Sequence, residues 1–272
     1  MVHVMRVLIS LCVLFPLSAL ADTVLITGSN RGIGFELAKQ FSEQGWDVIA
    51  TSRSPDDDTA LQALAVGNEN IVIERLDLTD HPAIDALADK LSGTPIDILL
   101  NNAATGGGVF IDTFGSLNYE AAWNVFNVNA LGALKVSEAF VDHVAAGKRK
   151  MIITLNGEGG SIDSASGGTY LFGASKAALN MVMRKLSVDM KERGITVNLV
   201  TPGFVDTMGF VDGAFSAEQK PDFVWLYDLY KKGFAKPVAT DKAVARLIPF
   251  ILTITPEQSG VWLNLEGEEI AW

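Results

Sequence analysis

Residues 23–34 read TVLITGSNRGIG, a short apolar run that passes through three glycines into Phe35, Leu37, Ala38 and Phe41 at helical spacing. A strand that turns this sharply into a helix needs glycine, because a residue without Cβ accepts positive φ and lets other groups approach its backbone. The first amides of such a helix face outward at the turn, where their dipoles favour an anion. Gly28, Asn30, Arg31, Gly32, Ile33 and Gly34 are therefore the first candidate binding residues, placed as a pyrophosphate would require.

Further apolar, β-rich runs recur at 48–51, 71–75, 96–101, 151–155, 196–201 and 261–265, with helix-length segments between most of them. Helical patterns cover 83–91, 119–145 and 173–193, the last stopped by Gly194. Strands apolar on both faces and joined by helices predict an α/β fold, a Rossmann-type doubly wound parallel β-sheet flanked by helices. At 272 residues and 49% hydrophobic the chain can bury one large core, so a single domain is expected. Residues 206–237 break the pattern and are rich in aromatics (Phe210, Phe215, Phe223, Trp225, Tyr227, Tyr230). They suit either an insertion over the mouth of a site or a packed helical hairpin.

Charge and composition exclude several functions. A net charge of −11 leaves no cationic face for a phosphate backbone, so nucleic acid is not an expected partner. The single cysteine, Cys12, rules out a disulfide framework and a thiolate zinc site, and His3, His81 and His143 are too scattered to suggest a metal cluster.

The first residues have the layout of a secretory signal peptide. Residues 1–6 carry Arg6 and the terminal amine, 7–20 are almost unbroken apolar, and Ala19-Leu20-Ala21 offers small residues for cleavage before Asp22. The apolar run falls short of the about 20 residues of a membrane span. Domain limits of 1–21 (leader) and 22–272 follow, with export to the periplasm or medium expected; an uncleaved anchor and a cytoplasmic chain with a misplaced start codon are the alternatives.

At the end of the second strand-like run stands Ser52-Arg53 rather than a carboxylate. An arginine there favours a 2′-phosphate, hence NADP(H) over NAD(H), with Arg31 as a second cation and Asp56, Asp57 and Asp58 as opposing charges.

Six segments in order, TGSNRGIG (27–34), LDLTD (76–80), NNAA (101–104), NVNALG (127–132), SKAALN (175–180) and PGFVDT (202–207), resemble the short-chain dehydrogenase/reductase family over nearly all of 23–272. The ending SGVWLNLEGEEIAW is similar to that family's C-factor-like branch. The resemblance implies that Asp77 and Leu78 contact an adenine, that Asn101 and Ala103 line the adenosine ribose, and that Pro202, Val205 and Thr207 border a nicotinamide. It also implies a catalytic tetrad in which a tyrosine moves the proton, a lysine lowers the tyrosine pKa, a serine fixes the substrate oxygen and an asparagine supports a water. Lys176 and Asn129 are in place. Four residues before the lysine, however, stands Phe172, and Gly157, following Asn156, occupies the position of the family serine. Tyr170 lies two residues before Phe172, about 200° away on a continuous helix; it could reach inward only if the helix began after it. Asn156 or Ser161 could orient a carbonyl oxygen, while Ser164 and Ser166 belong to the same glycine-rich stretch.

Two functions follow. One is an NADP(H)-dependent oxidoreductase for a small, apolar carbonyl or alcohol, its proton transfer weakened by Phe172. The other is an exported, non-catalytic protein of the same fold that binds a dinucleotide or a partner. A phenylalanine introduced deliberately at 172 is a third explanation of the same residue. The resemblance also implies a possible homodimer pairing 119–145 and 173–193, although the alanines Ala174, Ala177 and Ala178 could equally pack on the chain's own sheet.

Overall fold

In the computed structural model the described residues are 21–107, 112–165, 167–220 and 223–272. The predicted leader lies outside them apart from Ala21, and so does Ser166. Seven parallel strands, β1 (Thr23–Ile26), β2 (Asp47–Ser52), β3 (Ile71–Arg75), β4 (Ile98–Asn101), β5 (Met151–Leu155), β6 (Thr196–Thr201) and, at the far edge, Trp262–Asn264, form one sheet. Counting the short strands β7 (Val205–Asp206) and β8 (Val238–Ala239), which pair with each other, the edge strand is β9. The order is β3-β2-β1-β4-β5-β6-β9. The chain therefore winds outward from β1 to β3, returns, and winds the other way from β4. The reversal opens a crevice at the carboxyl ends of β1 and β4, where doubly wound sheets bind their ligands.

The helices are α1 (Gly32–Glu43), α2 (Thr59–Val66), α3 (His81–Lys90), α4 (Tyr119–Phe126), α5 (Ala133–Ala139), α6 (Val141–Ala146), α7 (Tyr170–Asp189), α8 (Val224–Lys231) and α9 (Thr240–Thr253). Alternation along each strand divides the core. Val24 and Ile26 face Leu37 and Phe41 of α1 and Leu247 and Ile251 of α9, whereas Leu25 faces Ile84 of α3, Val136 of α5 and Met183 of α7. Both sheet faces are thus dry, as strands without polar alternation require.

The strand-like runs 71–75, 151–155 and 196–201 coincide with β3, β5 and β6. The expected single helix over 119–145 is instead three. A π-helical stretch, Asn127–Gly132, joins α4 to α5, and the chain breaks again at Phe140. Gly132 explains the close packing there: a Cβ would lie 2.7 Å from Leu78 Cβ and 2.8 Å from Leu78 O. The helix expected over 173–193 starts earlier, at Tyr170, and ends in a 3₁₀ turn (Lys191–Arg193) capped by Gly194 at φ 66°. Between 206 and 237, α8 and its flanking loops pack through their own rings: Phe215 lies 4.6 Å from Tyr227, and Phe210 4.9 Å from Phe215 and 5.8 Å from Tyr230. These aromatics bury one another.

Phe41, fully buried and edge-on to Trp46 at 5.0 Å, joins α1 to the sheet. Phe41→Ala should cost about 3–5 kcal/mol of unfolding free energy through lost transfer energy and a residual cavity. Urea denaturation at constant m-value measures this.

Candidate active site

The residues singled out in the sequence converge on the carboxyl ends of the strands. Gly28 to Gly34 follow β1, Arg53 follows β2, Asp77 and Leu78 follow β3, Asn101 ends β4 and Ala103 follows it. Gly157 follows β5, and Pro202, Val205 and Thr207 follow or lie just beyond β6. Asn129 enters from the π-helical stretch, and Phe172 and Lys176 from α7.

The glycine turn leaves no room for side chains. A Cβ on Gly34 would stand 2.1 Å from Gly28 O and 2.4 Å from Asn102 Nδ2; on Gly28, with φ 70°, it would meet Ala103 Cβ at 2.9 Å. On Gly32 it would lie 3.1 Å from Thr207 Cγ2, so the loops after β4 and β6 close around the turn. Two residues not singled out individually hold it. Thr27 Oγ1 accepts from the main-chain N–H groups of Asn102 and Ala103, both at 3.0 Å, and Asn102 Nδ2 donates to Thr27 O at 2.8 Å and Gly28 O at 3.0 Å. Both lie inside motifs already quoted, so only their role was hidden. Arg31, the residue preceding α1, makes no side-chain cap and is exposed. The start of α1 is therefore a bare helix N-terminus beside a cradle that admits only backbone, which fits a pyrophosphate.

Other positions divide between framework and crevice. Asn101 is 4% exposed and donates to Ser137 Oγ at 3.0 Å and Thr154 Oγ1 at 3.4 Å, so it offers a ribose its main chain only. Asp77 Oδ1 takes both the N–H and the hydroxyl of Thr79, at 2.9 and 2.7 Å. Leu78 is buried against Gly132. Val205 is buried while Thr207 is exposed. Between them Asp206, quoted only as part of PGFVDT, accepts four main-chain N–H bonds from Met208, Gly209, Phe210 and Val211 at 2.6–3.1 Å. Burial alone would raise its pKa, but these donors outweigh burial and hold it below the usual carboxylate range.

The polar heart of the site is buried. Asn129, 1% exposed, accepts from Thr105 N at 2.8 Å and donates to Thr105 O and Ser175 Oγ, both at 3.0 Å. Ser175 Oγ in turn donates to Phe172 O at 2.7 Å. Lys176 is 6% exposed and its Nζ reaches Leu155 O at 3.5 Å. Burial pulls this ammonium from 10.5 down to about 8. Asn156, just before Gly157, donates to Asn180 Oδ1 at 2.5 Å and Lys176 O at 3.2 Å, and is turned toward α7. Ser161 is buried and accepts from Ser164 N at 3.2 Å. Nothing within 4 Å meets a Cβ built on Gly157.

Phe172 stands one turn before Lys176 on unbroken helix. Tyr170 begins α7 rather than preceding it, is 44% exposed, and lies 6.4 Å from Phe114. The helical offset therefore points its hydroxyl away from the lysine face. The carboxylate of Asp112, another residue outside the sequence expectations, takes the N–H groups of Tyr170 and Leu171 at the start of α7. Among the described residues, no group of three His, Cys, Asp or Glu side chains is placed to hold a metal ion.

A family model described as short chain dehydrogenase matches residues 22–213, and the chain belongs to that family of oxidoreductases. The 1-hydroxy-2-glutathionyl-2-methyl-3-butene dehydrogenase of Rhodococcus sp. (strain AD45) is 30% identical, across 92% of this chain and 100% of its own. C-signal of Myxococcus xanthus is 30% identical across 69% of this chain and 99% of its own. The NADPH-bound carbonyl reductase from chicken fatty liver superposes with a TM-score of 0.76 at 27% identity, covering 93% of this chain and 99% of its own.

The buried lysine carries a pH signature. The unfolded chain keeps this proton up to its ordinary range, while the folded chain releases it near 8. Stability should therefore rise between about pH 8 and 10.5, by at most about 3 kcal/mol. Denaturation of wild type and Lys176→Met side by side should show this rise in wild type alone.

Proposed function

We propose that this chain is an NADP(H)-preferring oxidoreductase of the C-factor-like branch. It acts on a small apolar carbonyl or alcohol, with proton transfer weakened at Phe172 and Gly157, the positions of the family tyrosine and serine. The observation that carries the reading is the buried Lys176 ammonium, with one long bond to Leu155 O at the end of β5, at the same strand ends as a glycine cradle that fits a pyrophosphate. A buried cation with one long hydrogen bond is costly unless a ligand supplies acceptors. Likeness to an NADPH-bound carbonyl reductase and the exposed Arg31 and Arg53 support the phosphorylated dinucleotide. The ending of the chain and the likeness to C-signal support the branch.

The nicotinamide, when bound, supplies or accepts the hydride at the carbonyl carbon. The chain's residues bind and orient. The cradle of Gly28, Gly32 and Gly34 takes the phosphates on main-chain amides, with Asn30 and Ile33 in the same turn. Asp77, Leu78, Asn101 and Ala103 border the adenosine end, and Pro202, Val205 and Thr207 the nicotinamide end. Lys176 would present its charge to the ribose hydroxyls, and Asn129 holds the main chain of Thr105. Phe172 can exclude water but cannot give a proton, and proton delivery by a positioned acid is worth about 10²–10⁴-fold in rate. The apolar ring of Phe172 suits an apolar substrate.

The position of Tyr170 favours the second reading, a non-catalytic dinucleotide- or partner-binding protein, since this tyrosine points away from the lysine. Export fits either reading, and Asp22, the first residue after the expected cleavage, pairs with Lys148 at 3.0 Å and Arg149 at 2.9 Å. A homodimer pairing 119–145 and 173–193 is supported by exposed Tyr119, Trp123 and Leu131 on one side and Met181 and Val188 on the other.

Fluorescence titration of the chain with NADPH and NADH should show binding of both, tighter for NADPH. Against a carbonyl panel, Phe172→Tyr with Gly157→Ser should raise kcat/KM by about 10²–10⁴-fold, because the serine enters open space. A double variant that binds NADPH and reduces nothing would favour the non-catalytic reading. In a secreting host, mass spectrometry should find Asp22 at the N-terminus of the exported chain.

A further inference from the structure

Thr169 immediately precedes α7, where a threonine ordinarily takes an extended backbone and caps the helix with its own hydroxyl. Here it stands at φ 51° and ψ 34°, a left-handed conformation that strains a β-branched residue, and its side chain makes no cap. The cap comes from the loop after β4. Buried Asp112 takes the Tyr170 N–H on Oδ1 and the Leu171 N–H on Oδ2, the latter at 2.9 Å. Its main-chain carbonyl accepts the Thr169 N–H at 3.1 Å. The loop after β5 presses on the same helix start from another side: a Cβ on Gly173 would stand 3.0 Å from Gly159 O, and one on Gly160 2.9 Å from the main chain of Lys176. The first turn of α7, which carries Phe172, is thus clamped between two loops of the crevice. Backbone strain persists only where the surroundings over-determine it, and such places gather at working sites.

We propose that Asp112 is a positioning residue for position 172. Its bonds to the main chain of 170 and 171 fix the direction and rotation of the first turn, and with them the place of the ring one turn before Lys176. The beginning of the same loop is held by Asn129, which both donates to and accepts from the main chain of Thr105. A helix capped by Thr169 alone would start independently of this loop. The strained threonine and the remote carboxylate instead make the start of α7 depend on it. The consequence for catalysis rests on the oxidoreductase reading above, whereas the placement of residue 172 does not.

The test reads that placement directly. Phe172→4-fluorophenylalanine, introduced by amber suppression in the full chain, gives one fluorine resonance at this ring. Adding Asp112→Ala should move and broaden the resonance, and Asp112→Asn, which keeps one of the two acceptors, should move it less. Asp112→Glu keeps the carboxylate on a longer arm and should move it in a chain whose circular dichroism is unchanged, so the test survives if Asp112→Ala does not fold. A residue that contributed only stability would leave the resonance of the folded chain where it was. In the Phe172→Tyr, Gly157→Ser chain, Asp112→Ala should lower kcat about 10-fold to 10²-fold at unchanged KM for NADPH, as misplacement of a reacting group predicts. An unmoved resonance in the folded Asp112 variants would overturn the proposal, and so would an unchanged kcat where the resonance has moved. A Phe172→Tyr, Gly157→Ser chain that reduces nothing would overturn the catalytic reading instead, with the fluorine resonance still deciding the role of Asp112.

Discussion

The fit between the glycine turn and the loop after β4 is the constraint on which the rest of the site depends. Gly34 must let Gly28 O and Asn102 Nδ2 come closer than any Cβ allows, and Gly28 must lie on Ala103. Thr27 and Asn102 then tie the turn to β4 with four hydrogen bonds. A side chain at Gly34 would push α1 away from the neighbouring strand end and close the crevice that the reversal of strand order creates. The same contact fixes the start of α1, whose other end packs through Phe41 into the core. Binding geometry and the packing of one half of the domain are thus one arrangement.

The second organising interaction is electrostatic. Lys176 is held at 6% exposure by α7 against the end of β5, with Leu155 O as a distant acceptor. A charge so placed costs free energy, which the pull of its pKa toward about 8 expresses. The surroundings do not relieve it: Asn129 spends its amide on Thr105 and Ser175, and Asn156 turns to Asn180.

Much of this architecture was legible because it is local. Strands apolar on both faces announce a buried parallel sheet, and a glycine turn between strand and helix announces its own backbone. Residues whose meaning comes from distant partners were not legible. Asp112 serves the start of α7 from 58 positions away in sequence, and Asp206 gathers four amides only because the following loop curls round it. The π-helical stretch at NVNALG was invisible for a related reason: helical periodicity is almost unchanged by one wider turn, and only Gly132 against Leu78 shows why it sits there. The aromatics of 206–237 left two readings open, since apolar rings look alike in sequence whether they face a ligand or each other, and the contacts among Phe210, Phe215, Tyr227 and Tyr230 are visible only in the fold. The setting of Asn101 was half legible. The motif puts it at the carboxyl end of a strand, where β4 has it, but its burial, with its amide on Ser137 and Thr154, comes from partners distant in sequence.

The binding half and the chemical half of this site are physically separable. Binding rests on main-chain geometry and on glycines that steric contact forbids changing. The two hydroxyls that the family reaction calls for would occupy positions the fold leaves indifferent: Gly157 faces open space, and Phe172 differs from tyrosine by one oxygen on a half-buried ring in the first turn of α7. On the proposed reading, having Phe172 and Gly157 at these two positions costs the fold little, whereas a side chain at Gly34 would dismantle the crevice. A chain under pressure only to fold and hold a dinucleotide could therefore pass from catalyst to binder by these two positions alone. That such a chain still buries an ill-paired lysine argues that something continues to occupy the space before it.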